Sequence, residues 1–290
     1  MIALVLGGTR FMGIHLVNEL ISAGYDITIA TRGTTPDPFG DKVTRLVADR
    51  NNQGSLRSAF DGKSYDITID NLAYCSNDVR FLLDVLNTKK YVMTSTASVY
   101  APNFHENMRE TEVDTKTLHL KWCNADDFPY DEVKRQAENA LFQAYPNQVS
   151  AAVRFPYIFG ADDYTKRLYF YVEHIVQQRA MNIDNMQARL SFINSCEAGK
   201  FLAHIAMGSG AGYINASSNG TISLEEIVSY TEKRAGVKAV IEDGGEVGPF
   251  NGVPSFSLDT SVAVKTGCQF MDINSWVYPL IDHWIGTIGA

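Results

Sequence analysis

The feature that most constrains the fold is a glycine-rich segment between an apolar run and a helical pattern. Residues 7–13 read Gly-Gly-Thr-Arg-Phe-Met-Gly and directly follow the aliphatic run at residues 2–6. Apolar residues then recur at helical spacing to Ile21, and Gly24 stands where a helix C-cap is expected. A turn of this kind offers backbone N–H groups and the helix dipole to a phosphate. We therefore predict that the following residues bind a dinucleotide cofactor: Gly7, Gly8, Thr9, Arg10, Phe11, Met12 and Gly13.

Apolar runs of strand length alternate with helical patterns through the first half of the chain. Further strands are predicted over residues 27–30, 43–48, 66–70, 91–95 and 149–154. Helical patterns cover residues 81–86 and 130–144. Strands that are apolar throughout are typical of a parallel sheet covered by helices on both faces. The predicted fold class is therefore α/β, a Rossmann-type doubly wound parallel sheet.

The alternation breaks after Gly160. Residues 161–215 are rich in aromatic and helical patterns, with a helix predicted over residues 198–207. A capping box at residues 223–226 predicts a helix that ends at Ala235. We predict an NAD(P)-binding Rossmann domain over residues 1–160. Residues 161–290 would form a smaller substrate lobe that is interleaved with the end of the sheet.

The end of the second predicted strand bears on the choice of cofactor. Rossmann sites for NAD usually carry an acidic residue there, which holds the ribose 2′-hydroxyl. This chain has Thr31-Arg32-Gly33 instead. Arg32, helped by Arg10, could pair with a 2′-phosphate, although Arg32 could also be a solvated loop cation. NADP is therefore the favoured cofactor, and NAD stays open.

A tyrosine and a lysine lie four residues apart within the pattern at residues 130–144. On a helix, Tyr130 and Lys134 share one face. A phenol has an ordinary pKa of about 10, and a nearby cation together with an oxidised nicotinamide favours its deprotonated form. We therefore predict that Lys134 lowers the pKa of Tyr130 and that Tyr130 is a general acid and base. Hydroxyl residues at 94–98 end the preceding strand and could bond the substrate oxygen.

Composition excludes several other classes of function. The chain has 25 basic and 33 acidic residues, a formal charge of −8, which disfavours bulk binding of nucleic acid. Its four cysteines show no metal-ligand spacing, so reduced thiols and no metal site are expected. Apolar runs stay shorter than a membrane span, and the first residues lack a signal-peptide pattern. We therefore expect a cytoplasmic protein.

These motifs together resemble the extended short-chain dehydrogenase/reductase family, the NAD(P)-dependent epimerases and dehydratases. Residues 6–13 are similar to its TGGxGFIG loop, residues 94–101 to SSSATVYG, residues 129–134 to PYxxSK and residues 154–160 to LRxxNVYGP. The resemblance implies that Thr96, Tyr130 and Lys134 are catalytic. It further implies that the cofactor contacts Tyr130 and Lys134 as well as Asp49, Leu72, Ala73, Phe155 and Pro156.

Several residues depart from the family pattern. Arg10 replaces the middle glycine of the loop, a variant that also resembles chloroplast stem-loop RNA-binding members. Tyr157 and Asn194 replace an asparagine and a histidine of the sugar-nucleotide enzymes. Ala97-Ser98 stands where 4,6-dehydratases carry an Asp-Glu pair, which disfavours dehydration.

The resemblance implies an epimerase acting at a carbinol carbon of a sugar or nucleotide sugar. The alternatives are an NADP-dependent carbonyl reductase on a small molecule and a non-catalytic cofactor- or RNA-binding protein. We expect a small-molecule substrate and no nucleic acid or membrane partner, and a homodimer is left open. Arg154, Arg167 and Arg189 could clamp a phosphate or carboxylate, although a structural role is equally expected for Arg154. The aromatic residues 169–171 are expected in the core of the small lobe.

Overall fold

Strands and helices alternate along the first 160 residues of the computed structural model, which describes residues 1–288. The strands are β1 (Ile2–Leu6), β2 (Asp26–Thr31), β3 (Thr44–Val47), β4 (Ser64–Asp70), β5 (Asn87–Thr96), β6 (Val149–Phe155), β7 (Tyr157–Phe159), β8 (Ala180–Asn182), β9 (Arg189–Leu190), β10 (Phe192–Asn194), β11 (Gly212–Asn215), β12 (Ile222–Ser223), β13 (Val240–Ile241) and β14 (Glu246–Val247). The α-helices are α1 (Met12–Ser22), α2 (Gln53–Phe60), α3 (Ser76–Leu83), α4 (Tyr130–Ala144), α5 (Arg167–Val176), α6 (Ser195–Met207), α7 (Leu224–Ala235), α8 (Ser261–Lys265) and α9 (Asn274–Ile288).

A parallel sheet with strand order β11-β6-β5-β4-β1-β2-β3 forms the centre of the fold. This order confirms the predicted doubly wound α/β class. Leu6 lies opposite Ala30 and Asp70, so the carboxyl ends of β1, β2 and β4 meet at one edge. Doubly wound sheets bind their ligands outside this edge. β11 comes from the second half of the chain and pairs with β6, so both halves build the sheet.

Helices cover both faces of the sheet. On one face, α1 and α6 contact each other and bury their apolar side chains against the strands. On the other face, α2, α3 and α4 bury their apolar side chains against the strands. A Cβ on Gly199 of α6 would lie 2.5 Å from the carbonyl oxygen of Met12, so glycine allows α1 and α6 to approach closely. Burial of each large aliphatic side chain in these layers contributes about 1.5–3 kcal/mol.

The second half of the chain has its own apolar core. Helices α5, α7 and α9 pack against one another, and Tyr171 and Phe250 stack with ring centroids 5.8 Å apart. Tyr171 is fully buried, while Tyr169 and Phe170 pack against the same cluster. The expected aromatic core is therefore confirmed. The domain boundary at residue 160 stays a prediction.

Most predicted elements lie within three residues of their observed bounds, but β5 begins at Asn87, four residues before its predicted start. The helix predicted over residues 81–86 is wrong, because α3 begins at Ser76 and ends at Leu83. The Asp78 carboxylate accepts the N–H groups of Tyr74 and Cys75, which fixes the earlier start. Helix α2 was not predicted, because it has only two fully buried side chains and depends on the Asn52 cap.

Three findings bear on the excluded classes of function. Among residues 1–288, no helix is long and apolar enough to cross a membrane. The same residues hold no group of three or more His, Cys, Asp or Glu side chains arranged for a metal ion. All four cysteines lie in this part of the chain and are free thiols.

Candidate active site

A cleft of about 1260 Å³ lies at the carboxyl edge of the central sheet. The predicted site residues that line it are Gly7, Thr9, Arg10, Phe11, Met12, Gly13, Arg32, Asp49, Leu72, Thr96, Tyr130, Lys134, Phe155 and Pro156. Gly8 and Ala73 are predicted site residues that do not line it. Gly8 is buried against Val17, and Ala73 is buried with its carbonyl oxygen bonded to Lys134.

The glycine loop has the conformation that a pyrophosphate site requires. Gly7 has φ +78°, and a Cβ on Gly13 would lie only 2.3 Å from the Gly7 carbonyl oxygen. Helix α1 has no side-chain cap and no acidic residue in its first turn. The Gly13 and Ile14 N–H groups donate to the carbonyl oxygens of Arg10 and Phe11 at 3.0 and 2.9 Å, which leaves the Met12 N–H and the positive end of the helix dipole for an anion. This part of the cleft therefore fits a dinucleotide.

Phe11 is a strained position in this loop. It has φ 53°, a conformation that residues other than glycine rarely adopt. Its ring packs edge-to-face on Tyr164, with centroids 6.0 Å apart. Because Tyr164 lies in the second half of the chain, this contact joins the two walls of the cleft.

The residues predicted to select the cofactor, Arg32 after β2 and Arg10 in the glycine loop, lie on the same side of the cleft as Thr35. Arg32 is exposed and lines the cleft. Arg10, which replaces the family glycine, donates to the Thr35 hydroxyl at 3.3 Å and so reaches the same loop. The nearby Asp37 carboxylate is bonded to Arg45 at 2.7 and 2.8 Å. The loop therefore presents cations rather than a free carboxylate to the cleft.

An ion pair beneath the cleft was not predicted from the sequence. Arg50 donates to both carboxylate oxygens of Asp70 at 2.8 and 3.0 Å and to Asp78 at 3.2 Å. Although burial acts to raise the pKa of Asp70, Arg50 holds that pKa below its ordinary value. These bonds tie the end of β4 to the start of α3. The carboxylate at the end of an apolar strand was the only sequence signal for this pair.

The three candidate catalytic residues come from two elements that meet at the cleft. Thr96 ends β5, and its hydroxyl accepts the Ser98 N–H at 3.1 Å. Tyr130 begins α4 after Pro129, and Lys134 lies one turn further along. The Lys134 ammonium donates to the carbonyl oxygens of Ala73 at 2.9 Å and Thr94 at 2.8 Å. It is therefore held where β5 and the segment after β4 border the cleft.

Desolvation governs the electrostatics of Tyr130 in the chain without cofactor. About half of its side chain is exposed (49%), but loss of water at the phenol raises its pKa to about 12. The nearby Thr96 hydroxyl and the charge of Arg167 act to lower this pKa. Burial lowers the pKa of Lys134 to about 8. In the chain without cofactor, the pKa of Tyr130 is therefore raised, because desolvation dominates and the Lys134 ammonium bonds backbone carbonyls. The lowering predicted for Tyr130 beside Lys134 and an oxidised nicotinamide stays a prediction.

Of the three arginines considered as substrate clamps, Arg167 is the one that lines the cleft. Arg154 is fully buried and bonded to Glu138, so its role is structural. Arg189 donates to Thr221 and pairs with Glu226 away from the cleft. The aromatic residues Phe104, Tyr157 and Phe256 line the cleft with Arg167.

Residues 3–81, which include the glycine loop and the end of β4, match the model of the NAD dependent epimerase/dehydratase family. Over these residues the chain is similar to that family. The predicted family resemblance is thereby confirmed. The match contains Gly7, Gly13 and Arg32 but ends before Thr96 and Tyr130, so the family assignment does not test the roles of those two residues.

A curated relative and several solved structures are also similar to this chain. The chloroplast stem-loop binding protein of 41 kDa b from Arabidopsis thaliana is 24% identical over 203 residues, 65% of this chain. The chain covers 50% of the length of that relative. UDP-glucose 4-epimerase from Thermotoga maritima, solved with UDP-glucose, matches with a TM-score of 0.79, 14% identity and complete coverage of both chains.

UDP-glucuronic acid 4-epimerase from Bacillus cereus, solved with NAD, is also similar. It matches with a TM-score of 0.75 and 16% identity, over 99% of this chain and 97% of that one. At these identities, the structural likenesses show the fold.

Proposed function

We propose that this chain is an NAD(P)-dependent epimerase-type oxidoreductase that acts at a carbinol carbon of a sugar or nucleotide sugar. The observation that carries the proposal is one cleft lined by the glycine loop and by Thr96, Tyr130 and Lys134. The nucleotide sugars named for the similar epimerases support this class of substrate.

Each residue has a role that follows from its position. Tyr130 takes the proton of the substrate hydroxyl on its phenol oxygen and later returns it, while Thr96 orients the substrate oxygen. A nicotinamide bound beside these residues would supply reversible hydride transfer at the carbinol carbon. Lys134 would hold the nicotinamide ribose from its position on the Ala73 and Thr94 carbonyls.

The other predicted cofactor residues would hold the rest of the dinucleotide. The glycine loop binds the pyrophosphate, Asp49 lies on the adenine side, and Leu72, Phe155 and Pro156 form walls of the cleft. A homodimer stays a prediction.

Retention of the cofactor tests this function directly. An epimerase keeps its cofactor between half-reactions, whereas a carbonyl reductase releases it in every cycle. We expect native mass spectrometry of protein purified without added cofactor to show one bound NAD or NADP. As a control, Gly13→Ala should lose this mass, because the new Cβ would lie 2.3 Å from the Gly7 carbonyl oxygen. A cofactor-free wild type that binds and releases NADP reversibly would favour the reductase instead.

The preference for NADP rests on Arg32. We expect Arg32→Ala to weaken NADP binding by about tenfold, the effect of one charge-assisted hydrogen bond, and to change NAD binding much less. Titration of both cofactors by calorimetry measures the difference. Arg57→Ala is the matched control, since Arg57 is exposed on α2 and lies outside the cleft. Equal losses for NAD and NADP would show that Arg32 does not bind the 2′-phosphate.

A stem-loop RNA-binding role is a second candidate, favoured by the curated relative. The net charge of −8 opposes it, since RNA binding depends on cationic contacts to phosphate. Gel shifts with structured RNA distinguish the two functions, because a true complex would weaken steeply as salt rises.

A further inference from the structure

Arg167 is a partly buried cation that the proposed mechanism leaves unused. Its Nε donates to the Thr165 hydroxyl at 3.1 Å, and that hydroxyl donates to the buried Asp163 carboxylate at 2.6 Å. Within residues 1–288, neither Nη group has a hydrogen-bond partner or a carboxylate within ion-pair distance. The side chain is thus held through Nε, while both terminal nitrogens stay available.

Aromatic rings fix the guanidinium from one side. Its central carbon lies 5.1 Å from the Tyr157 ring centroid and 5.8 Å from that of Phe159. Tyr157 also packs on Phe256 at 6.1 Å, and Phe256 packs on Phe104 at 5.3 Å. This wall of the cleft is therefore apolar with one cation at its edge. This wall departs from the pattern of the sugar-nucleotide enzymes, in which the resemblance implies an asparagine at the position of Tyr157.

The cation lies at the reacting end of the cleft. Arg167, Tyr130 and Tyr157 line the same cleft, and Tyr130 is the group that would exchange the proton. Two other cations line the cofactor part of the cleft, Arg10 in the glycine loop and Arg32 after β2. Arg167 is therefore placed to meet the substrate.

We propose that the two Nη groups of Arg167 bind an anionic oxygen pair of the substrate, a carboxylate or a phosphate. A planar guanidinium matches both groups through two parallel hydrogen bonds, and stacking on rings pre-organises it for them. The substrate is therefore an acidic sugar or a sugar nucleotide that presents its anion beside the reacting carbon. This inference rests on the proposed function, whose substrate class it narrows.

The test uses two probes that differ in one group. UDP-glucuronic acid carries a carboxylate where UDP-glucose carries a hydroxymethyl group. Both are titrated calorimetrically into the full chain saturated with cofactor. For a carboxylate at Arg167, we expect the acid to bind about 10- to 100-fold more tightly, the range for a charge-assisted hydrogen-bonded pair. Arg167→Gln should abolish this difference, and Arg167→Lys should restore part of it.

Lys166→Gln is the matched control. It removes one charge from the adjacent residue, which is exposed and does not line the cleft, and it should keep the preference for the acid. If Arg167→Gln instead weakens both probes equally, the bound anion is the diphosphate, which supports the phosphate form of the proposal. The proposal that Arg167 binds the substrate anion would be overturned if Arg167→Gln left both affinities unchanged. It would also be overturned if neither probe bound the wild type at millimolar concentration.

The binding test and the catalytic test can fail separately. Repeating the titrations in a Tyr130→Phe background removes the proposed proton transfer but leaves Arg167 in place. Normal turnover by that variant would contradict the proposed mechanism, while its preference between the two probes would still report on Arg167.

Discussion

Replacement of Tyr130 by phenylalanine should lower turnover by about 10²- to 10⁴-fold, the usual contribution of a general acid–base group. The variant loses only the phenol hydroxyl, in a cleft that Thr96 also lines. The glycine loop, Arg32 and Lys134 keep their contacts, so cofactor affinity should change by no more than a few-fold. Steady-state turnover and calorimetric binding of NAD(P) measure the two quantities separately.

The pH profile identifies the same group. With a pKa of about 12, Tyr130 is protonated at neutral pH in the chain alone. The deprotonated fraction, and with it the rate of alcohol oxidation by the wild type, should therefore rise with pH below that pKa. Tyr74→Phe is the control, because the Tyr74 ring also lines the cleft, 6.5 Å from that of Tyr130. A Tyr130→Phe variant with wild-type turnover would rule out the mechanism.

The second large effect concerns stability. Replacing Glu138 by leucine should lower the free energy of unfolding by about 3–5 kcal/mol, because it leaves a buried arginine without its counter-charge. Glu138 and Arg154 are both fully buried, and their closest atoms lie 2.7 Å apart. Glu138 also accepts the Ser95 hydroxyl at 2.6 Å, next to Thr96. Urea denaturation followed by circular dichroism measures the loss.

A double variant separates the charge from the packing. In Glu138→Leu/Arg154→Met both charges are gone, so most of the lost stability should return. Arg154 also donates to the carbonyl oxygens of Glu110 and Val113, so the recovery should be incomplete. An exposed ion pair contributes at most about 1 kcal/mol. If Glu138→Leu lowers the free energy of unfolding by less than this, the Glu138–Arg154 pair does not hold the sheet to α4.

Local patterns predicted the parts of the site that lie close together in sequence. The glycine loop follows from one strand and one helix, and the Tyr130–Lys134 pair follows from helical spacing. Arg50 and Asp70 are 20 residues apart, and Glu138 and Arg154 are 16 apart. Whether the two charges of such a pair come into contact depends on which helices and strands pack together. Local sequence patterns do not predict this packing, because it depends on the burial of side chains from distant parts of the chain.

The raised pKa of Tyr130 in the chain without cofactor could not be predicted for the same reason. Spacing on a helix places Lys134 near the phenol, but not the carbonyls of Ala73 and Thr94 that bind its ammonium. The role of Arg167 also depends on rings far along the chain, since Tyr157 and Phe256 meet only in the folded protein. Burial and competition for hydrogen bonds decide these properties.

The contact between Phe11 and Tyr164 has a kinetic consequence. Because it bridges the two walls of the cleft, separating those walls must break it. A catalyst that exchanges its cofactor in every cycle would meet this barrier once per turnover, and the barrier could limit its rate. A catalyst that keeps its cofactor would meet it only once, at loading. A slow exit step is thus a handicap for a reductase and an advantage for an epimerase.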